Sequence, residues 1–345
     1  MKEAIFYKKL RNAVKCNLCA RGCVIPEGQL GFCRTRKNIN GKLYSLVYGK
    51  LCSVAIDPIE KKPLYHFAPG SHTLSISTVG CTFNCRFCCN YEISQEWKEI
   101  VGEEYLPKDI VEIALNHKCE GISYTYTEPT VQFEFSLDTA KIAKQKGLYN
   151  MWVSNGYTKP EAIKQISKYL DAVTLDFKGS ANEEFYKKYS LVPKVEPMFD
   201  ALLAYKQNKV YIEITNLIIP KIGDNLQDLK KLCKWIVDNL GSETPFHILQ
   251  FFPTYKLLDL PRTPLETLEK AYDVAKKEGL KYVYVGNVFG HKYENTYCPK
   301  CKNVLIERTI LGVTNFFLKK DLRCPNCKTK IPIFGEKWIP ENLWK

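Results

Sequence analysis

From residue 73 to residue 285 the chain alternates two kinds of apolar pattern. Short runs rich in Ile, Val, Tyr, Phe and Thr predict buried strands over residues 73–79, 121–127, 148–154, 172–177, 210–219, 246–252 and 282–285. The segments between them predict helices over 108–118, 132–146, 160–169, 197–207, 226–239 and 264–277. Asn225, Thr158 or Lys159, and Thr263 stand where N-caps belong, and Pro160 and Pro264 suit first helical positions. Gly147 and Gly279 suit helix C-termini.

Repeated strand–helix units imply parallel strands joined by right-handed crossovers. Six units and a closing strand are too few for a complete eightfold barrel. The pattern therefore predicts an α/β fold, a partial (β/α)6 barrel of the TIM type, with chemistry at the C-terminal ends of its strands. Those ends carry Thr125 to Pro129, Ser154-Asn155-Gly156, Asp176-Phe177-Lys178-Gly179, Glu213 with Thr215 and Asn216, Phe252 to Tyr255, and Gly286-Asn287. Polar residues thus gather at one predicted rim.

Composition refines this picture. The chain has 345 residues, 45% hydrophobic and 25% charged, which excludes disordered, collagen-like and coiled-coil classes. No apolar run approaches the roughly 18 residues needed to span a bilayer. Residues 1–15 are charged throughout and lack a signal-peptide core, so a cytoplasmic protein is expected. The formal charge of +13 invites a nucleic-acid partner, but the lysines are spread along the chain, as on a solvated surface.

The 15 cysteines are the strongest chemical signal. An odd number without a secretion signal argues against a disulfide framework and for metal ligation. They fall into three groups: Cys16, Cys19, Cys23 and Cys33; then Cys81, Cys85, Cys88 and Cys89; then Cys298, Cys301, Cys324 and Cys327. Cys52, Cys119 and Cys233 are scattered and are expected to be buried small hydrophobes. The groups divide the chain into a Cys-rich N-terminal module (1–70), a barrel (71–290) and a zinc-ribbon-like C-terminal module (291–345).

The central loop, Gly80-Cys81-Thr82-Phe83-Asn84-Cys85-Arg86-Phe87-Cys88, has the spacing C-x3-C-x2-C. Three thiolates on a tight loop can hold three irons of a cubane cluster and leave the fourth open to a small molecule. Zinc fits less well, since zinc sites use paired C-x2-C knuckles and tetrahedral closure. Cys89 is expected to be a pocket residue and not the third ligand. His66, His72 and His247 are expected to be structural.

A C-x3-C-x2-C loop after the first strand of a partial barrel resembles the radical S-adenosylmethionine (SAM) superfamily. Further runs extend the likeness over residues 16–338: Asp57 to Gly70, Ser77-Thr78-Val79-Gly80-Cys81, Asn90 to Gln95, Val283 to Asn287, and Asn295 to Cys298. These resemble the branch grouped with pyruvate formate-lyase activating enzymes, and within it the AmmeMemoRadiSam-system radical SAM enzyme. The resemblance implies a [4Fe–4S] cluster on Cys81, Cys85 and Cys88 whose open iron chelates SAM. Reductive cleavage of SAM would then yield a 5′-deoxyadenosyl radical that abstracts a substrate hydrogen. It implies that Glu128 meets the SAM amino group and that Asn155, Asp176 and Lys178 lie beside SAM. It also implies an electron donor such as flavodoxin or ferredoxin, a protein substrate, anaerobic chemistry, and Memo-like and AMMECR1-like partner proteins. The chain departs from the branch at Tyr126-Thr127, where two glycines are usual, at Val153 for Asp, at Tyr255 for His, and at Cys89 for Gln.

The C-terminal set is a pair of C-P-x-C knuckles predicted to face each other across a hairpin between residues 304 and 322. That pattern predicts four-sulfur ligation, with zinc the first choice and a single iron or a cluster as alternatives. The N-terminal spacing C-x2-C-x3-C-x9-C leaves zinc and an accessory cluster both open. Three functions compete: hydrogen abstraction from a protein glycine, radical SAM modification of a small molecule or RNA, and a non-catalytic iron–sulfur or zinc-ribbon binding protein. Filled outer sites carry −2 each and a three-thiolate cubane −1, so the +13 falls to about +8. Much of the basic excess then balances metal–thiolate charge.

Overall fold

The computed structural model describes residues 1–309 and 312–344. One eight-stranded sheet dominates: β1 (Ser53–Pro58), β2 (His72–Ser77), β3 (Gly121–Tyr124), β4 (Tyr149–Ser154), β5 (Ala172–Lys178), β6 (Tyr211–Ile218), β7 (Phe246–Gln250) and β8 (Val283–Gly286). Order along the sheet is order along the chain. β1 runs antiparallel to β2, with Ser53 opposite Ser77, and the remaining neighbours are parallel. β1 and β8 stand at the two ends of that order, so the barrel is partial and open.

The helices are α1 (Pro107–Asn116), α2 (Phe133–Gln145), α3 (Pro160–Ile166), α4 (Glu183–Ser190), α5 (Glu196–Gln207), α6 (Leu226–Asn239) and α7 (Leu265–Lys277). Six of them match the sequence expectation. Asn225 caps α6, its side-chain oxygen accepting from the backbone N–H groups of Gln227 (2.8 Å) and Asp228 (3.2 Å). Gly147 and Gly279 follow α2 and α7 with left-handed φ of 80° and 101°. Thr158 and Thr263 do not cap. The Thr158 hydroxyl bonds Thr130, and Thr263 Oγ1 donates to the Ile218 carbonyl (2.7 Å), so tertiary partners take both side chains. Pro264, expected as the first helical residue, is instead the N-cap position of α7, which begins at Leu265.

Two elements were not expected. β1 ends in proline and is largely half-exposed, so its period-2 signal is weak. It extends the barrel sheet back into the stretch expected to form a separate N-terminal module. α4 has only eight residues, too short for a clear apolar period, although Asn182 caps it by accepting from the Phe185 N–H (2.8 Å). Cys119 and Cys233 are buried as expected; Cys52, just before the partly exposed β1, is only half-buried.

The barrel interior is polar where its strands face each other. Thr73 and Ser123 share a hydroxyl bond (2.7 Å), as do Ser77 and Thr127 (2.9 Å). Glu213, expected at the rim, instead lies fully buried on the third residue of β6. Its carboxylate accepts from the backbone N–H groups of Tyr65 and His66 and from His247 Nε2 (2.7 Å). That arrangement plugs the end of the barrel where strands begin. The C-terminal module covers the same end. Trp338 packs on Tyr149 and donates to the Gly147 carbonyl (2.8 Å), and Phe334 packs on Tyr211. The hairpin β9 (Val304–Thr309) and β10 (Gly312–Phe316) falls in the expected 304–322 segment. Residues 310 and 311 of that segment, and 345 of the module, lie outside the described residues.

His66 is structural, as expected. It is fully buried, with Nε2 2.6 Å from Tyr284 Oη and Nδ1 2.9 Å from the Pro332 carbonyl. Burial pulls its imidazole down to about 4. The unfolded chain therefore takes up a proton below about pH 6.5 that the folded chain refuses until about pH 4. Stability falls as pH drops through that window, by about 3 kcal/mol in all. Urea unfolding at pH 7 and pH 5 is expected to show about 2 kcal/mol of this loss in the wild type and a smaller one in His66→Gln; equal losses would remove His66 as the cause.

Candidate metal and cofactor site

The loop after β2 carries the central thiols. Phe83 and Phe87 are buried and anchor it: Phe83 packs on Tyr157 and Tyr186, Phe87 on Phe185. Its backbone is tied on several sides. Asn84 N–H donates to the Ser190 carbonyl (3.0 Å) and Arg86 N–H to the Tyr189 carbonyl (2.8 Å), so the unforeseen α4 is the loop's main support. Gln95 Nε2 donates to the Cys85 carbonyl (2.9 Å) and Arg21 Nε to the Thr82 carbonyl (2.9 Å). Gly80 enters the loop at φ 98°, and a Cβ there would lie 2.9 Å from the Cys33 carbonyl oxygen. Only glycine permits that turn with the N-terminal module so close.

Cys81, Cys85 and Cys88 are free, half-buried thiols on this loop. Their sulfurs are not left bare. Cys81 Sγ accepts from the Phe83 N–H (3.4 Å) and faces Asn155 Nδ2 (3.8 Å); Cys85 Sγ is 3.3 Å from Ser190 Oγ; Cys88 Sγ is 3.2 Å from Ser94 Oγ. Burial pushes the Cys85 thiol up to about 12 and raises Cys81 as well. A metal must therefore displace their protons. Cys89, expected to line a pocket, is exposed.

The expected SAM-side residues converge on this loop from the strand ends. Asn155, just after β4, donates from Nδ2 to Thr82 Oγ1 (2.9 Å). Asp176 and Lys178, at the end of β5, form an ion pair, and Thr215 donates a hydroxyl bond to Asp176. Both Asp176 and Lys178 act electrostatically on Cys85. Glu128 is placed differently from an exposed ligand: it is 2% exposed and the chain itself fills its carboxylate. It accepts from Thr130 Oγ1 (2.5 Å), Thr130 N–H (3.2 Å), Ser154 Oγ (3.0 Å) and Asn155 N–H (2.8 Å). Glu128 thus joins the β3 and β4 turns and fixes the backbone of Asn155.

The outer cysteine sets lie at opposite ends of the barrel. The N-terminal set sits at the mouth, beside the central loop: Ala20 N–H donates to the Tyr157 carbonyl (2.8 Å) and Lys159 N–H to the Leu18 carbonyl (3.0 Å), both just beyond β4. The C-terminal set packs with Tyr65 and Tyr282 at the end where strands begin. Its sulfurs nearly touch, 3.5 Å for Cys298–Cys327 and 3.5 Å for Cys301–Cys324. A tetrahedral ion with bonds of about 2.3 Å sets sulfurs about 3.8 Å apart, so this set fits a single ion. Among the described residues, it is the only group of three or more potential ligands whose ligand atoms all lie within 4.8 Å of one another. The central triad is more widely spaced, as it must be if each thiolate serves a different iron of one cluster.

α4 and its Ser190 were the functional elements that sequence reading missed. The cue available was Asn182 followed by two acidic residues, a short helix start placed directly after the Asp176–Lys178 strand end.

Comparison with known proteins agrees with this geometry. Residues 75–236 match the family model described as the Radical SAM superfamily. An uncharacterized protein of Methanocaldococcus jannaschii is 48% identical over 96% of this chain and 99% of its own length. The pyruvate formate-lyase-activating enzyme of Clostridium pasteurianum is 26% identical over 59% of this chain and 87% of that protein. In fold, the chain is similar to a radical SAM methyltransferase from Sphaerobacter thermophilus, with a TM-score of 0.50, 12% identity, and coverage of 63% of this chain and 66% of the other.

Proposed function

The chain belongs to the radical SAM superfamily, and we propose that it is an activating-enzyme-like member that binds SAM at the mouth of its barrel and directs hydrogen abstraction from a protein substrate. The observation that carries this reading is the convergence of three loop thiols with Asn155, Asp176 and Lys178 at one set of strand ends. Cys81, Cys85 and Cys88 would hold a [4Fe–4S] cluster. When bound, cluster and SAM together supply a 5′-deoxyadenosyl radical by one-electron reductive cleavage, with flavodoxin or ferredoxin as the class of donor.

The chain's own residues do the remaining work. Ser94, Ser190 and the Phe83 N–H stand against the thiol sulfurs and compensate their charge. The Asp176–Lys178 pair offers both signs of charge beside them, which suits a zwitterionic amino acid group. Glu128 acts as a positioning residue through the Asn155 backbone. Cys298, Cys301, Cys324 and Cys327 would hold zinc. Their place at the far end of the barrel argues that this metal stabilises the fold and does not deliver RNA to the mouth. The same proposal includes the AmmeMemoRadiSam branch and Memo-like and AMMECR1-like partners, supported by the sequence runs quoted above, and a cytoplasmic setting, supported by the charged residues 1–15 and the cysteine usage.

SAM binding to the reduced, anaerobically reconstituted protein, followed by electron paramagnetic resonance (EPR), tests this reading. SAM is expected to alter the central cluster's spectrum in the wild type. Glu128→Gln turns an amide N–H₂ toward donors and is expected to weaken SAM binding about tenfold with iron content unchanged. No spectral response to SAM in the wild type would contradict the proposed site.

A further inference from the structure

The four N-terminal cysteines line a single pocket at the barrel mouth, together with Arg21, Arg36 and Thr82. We propose that this pocket holds an accessory [4Fe–4S] cluster, ligated by Cys16, Cys19, Cys23 and Cys33 and faced by the two arginines.

Spacing separates a cluster from a lone zinc. No three of these four sulfurs lie within 4.8 Å of one another, although the C-terminal four all do. One tetrahedral ion draws its sulfurs to about 3.8 Å, whereas a cubane takes one thiolate at each iron and sets them farther apart. The same protein thus presents two four-cysteine sets with two different spacings.

The second observation is unpaired cationic hydrogen-bonding capacity. Arg36 is 2% exposed and uses Nη1 and Nη2 for Glu134 (3.0 and 2.7 Å), yet its buried Nε has no partner among the described residues. Arg21 gives Nε to the Thr82 carbonyl and stacks on Phe32 (3.6 Å to the ring centroid), and its buried Nη2 is also without a partner. Arg36 is electrostatically coupled to Cys16 and Cys33, and Arg21 to Cys19 and Cys23. Buried donors left open in this way cost free energy unless an acceptor meets them. Anionic thiolates and sulfides supply that acceptor, and Thr35 Oγ1 already donates to Cys33 Sγ (3.2 Å).

The pocket also touches the central loop. Thr82 belongs to both, and the Cys33 carbonyl presses on Gly80.

Metal analysis of a chain carrying Cys81→Ala, Cys85→Ala and Cys88→Ala tests the inference independently of SAM chemistry. After anaerobic reconstitution it is expected to retain about four irons and four sulfides, with visible absorption that bleaches on reduction by dithionite. An iron-free chain with zinc in both outer sites would overturn the inference. In an otherwise intact chain, Cys19→Ser with Cys33→Ser is expected to lower iron from about eight to about four per chain while the spectral response to SAM persists. Unchanged iron in that variant would overturn it too. Arg21→Gln is expected to lower the accessory cluster's reduction potential by removing a positive charge; an unchanged potential would contradict the arginine's place beside it.

Discussion

Cys85→Ala is expected to reduce 5′-deoxyadenosine formation to background and to remove about four irons per chain, with the fold intact. Cys85 is the middle thiol of the loop, and the side chain contributes little else. The backbone bonds that shape the loop come from its neighbours, Asn84 to Ser190 and Arg86 to Tyr189, and its own carbonyl still accepts from Gln95 in the variant. Chemistry and stability should therefore separate: circular dichroism and urea midpoint near wild type, SAM cleavage absent. Wild-type iron content and SAM turnover in the variant would remove Cys85 from the site.

Cys324→Ala should do the reverse. Cys324 is fully buried, and its Sγ stands 3.5 Å from Cys301 Sγ. The C-terminal module has a small apolar core around Leu305, Phe316, Leu318, Leu322 and Ile331, too little to hold a hairpin on its own. Structural zinc contributes an apparent 10–16 kcal/mol, roughly, in small zinc-binding peptides, so loss of one ligand is expected to cost several kcal/mol here. Thr329 stands 3.2 Å from Cys327 Sγ and draws that thiol toward the thiolate a metal requires. The variant is expected to lose one zinc per chain and to unfold at lower urea, while the SAM response at the opposite barrel end survives. Unchanged metal content would show that Cys324 is not a ligand.

What was legible in the sequence follows from where apolar period and cysteine spacing are strong. Strands β2 to β8 are almost wholly buried and rich in β-branched and aromatic residues, and six of the helices between them are long enough to show themselves. The triad and the paired C-P-x-C knuckles are local patterns, and the four knuckle sulfurs gather within 4.8 Å of one another. What the sequence could not display was non-local. Glu128 reads as an acidic strand-end ligand, yet in the fold Thr130, Ser154 and the Asn155 N–H surround it. Glu213 reads as a rim residue until the Tyr65–His66 segment, 148 positions away, claims its carboxylate. β1 and α4 are too short or too exposed to carry a period, and only the finished sheet and loop give them a purpose. The opposite placement of the two outer cysteine sets was likewise invisible in one dimension.

The most direct measurement of the central claim is product formation by the intact protein. Anaerobically reconstituted wild-type chain, supplied with SAM and a one-electron reductant, is expected to release 5′-deoxyadenosine and methionine. A protein that carries its full complement of iron and sulfide yet leaves SAM uncleaved would contradict the account.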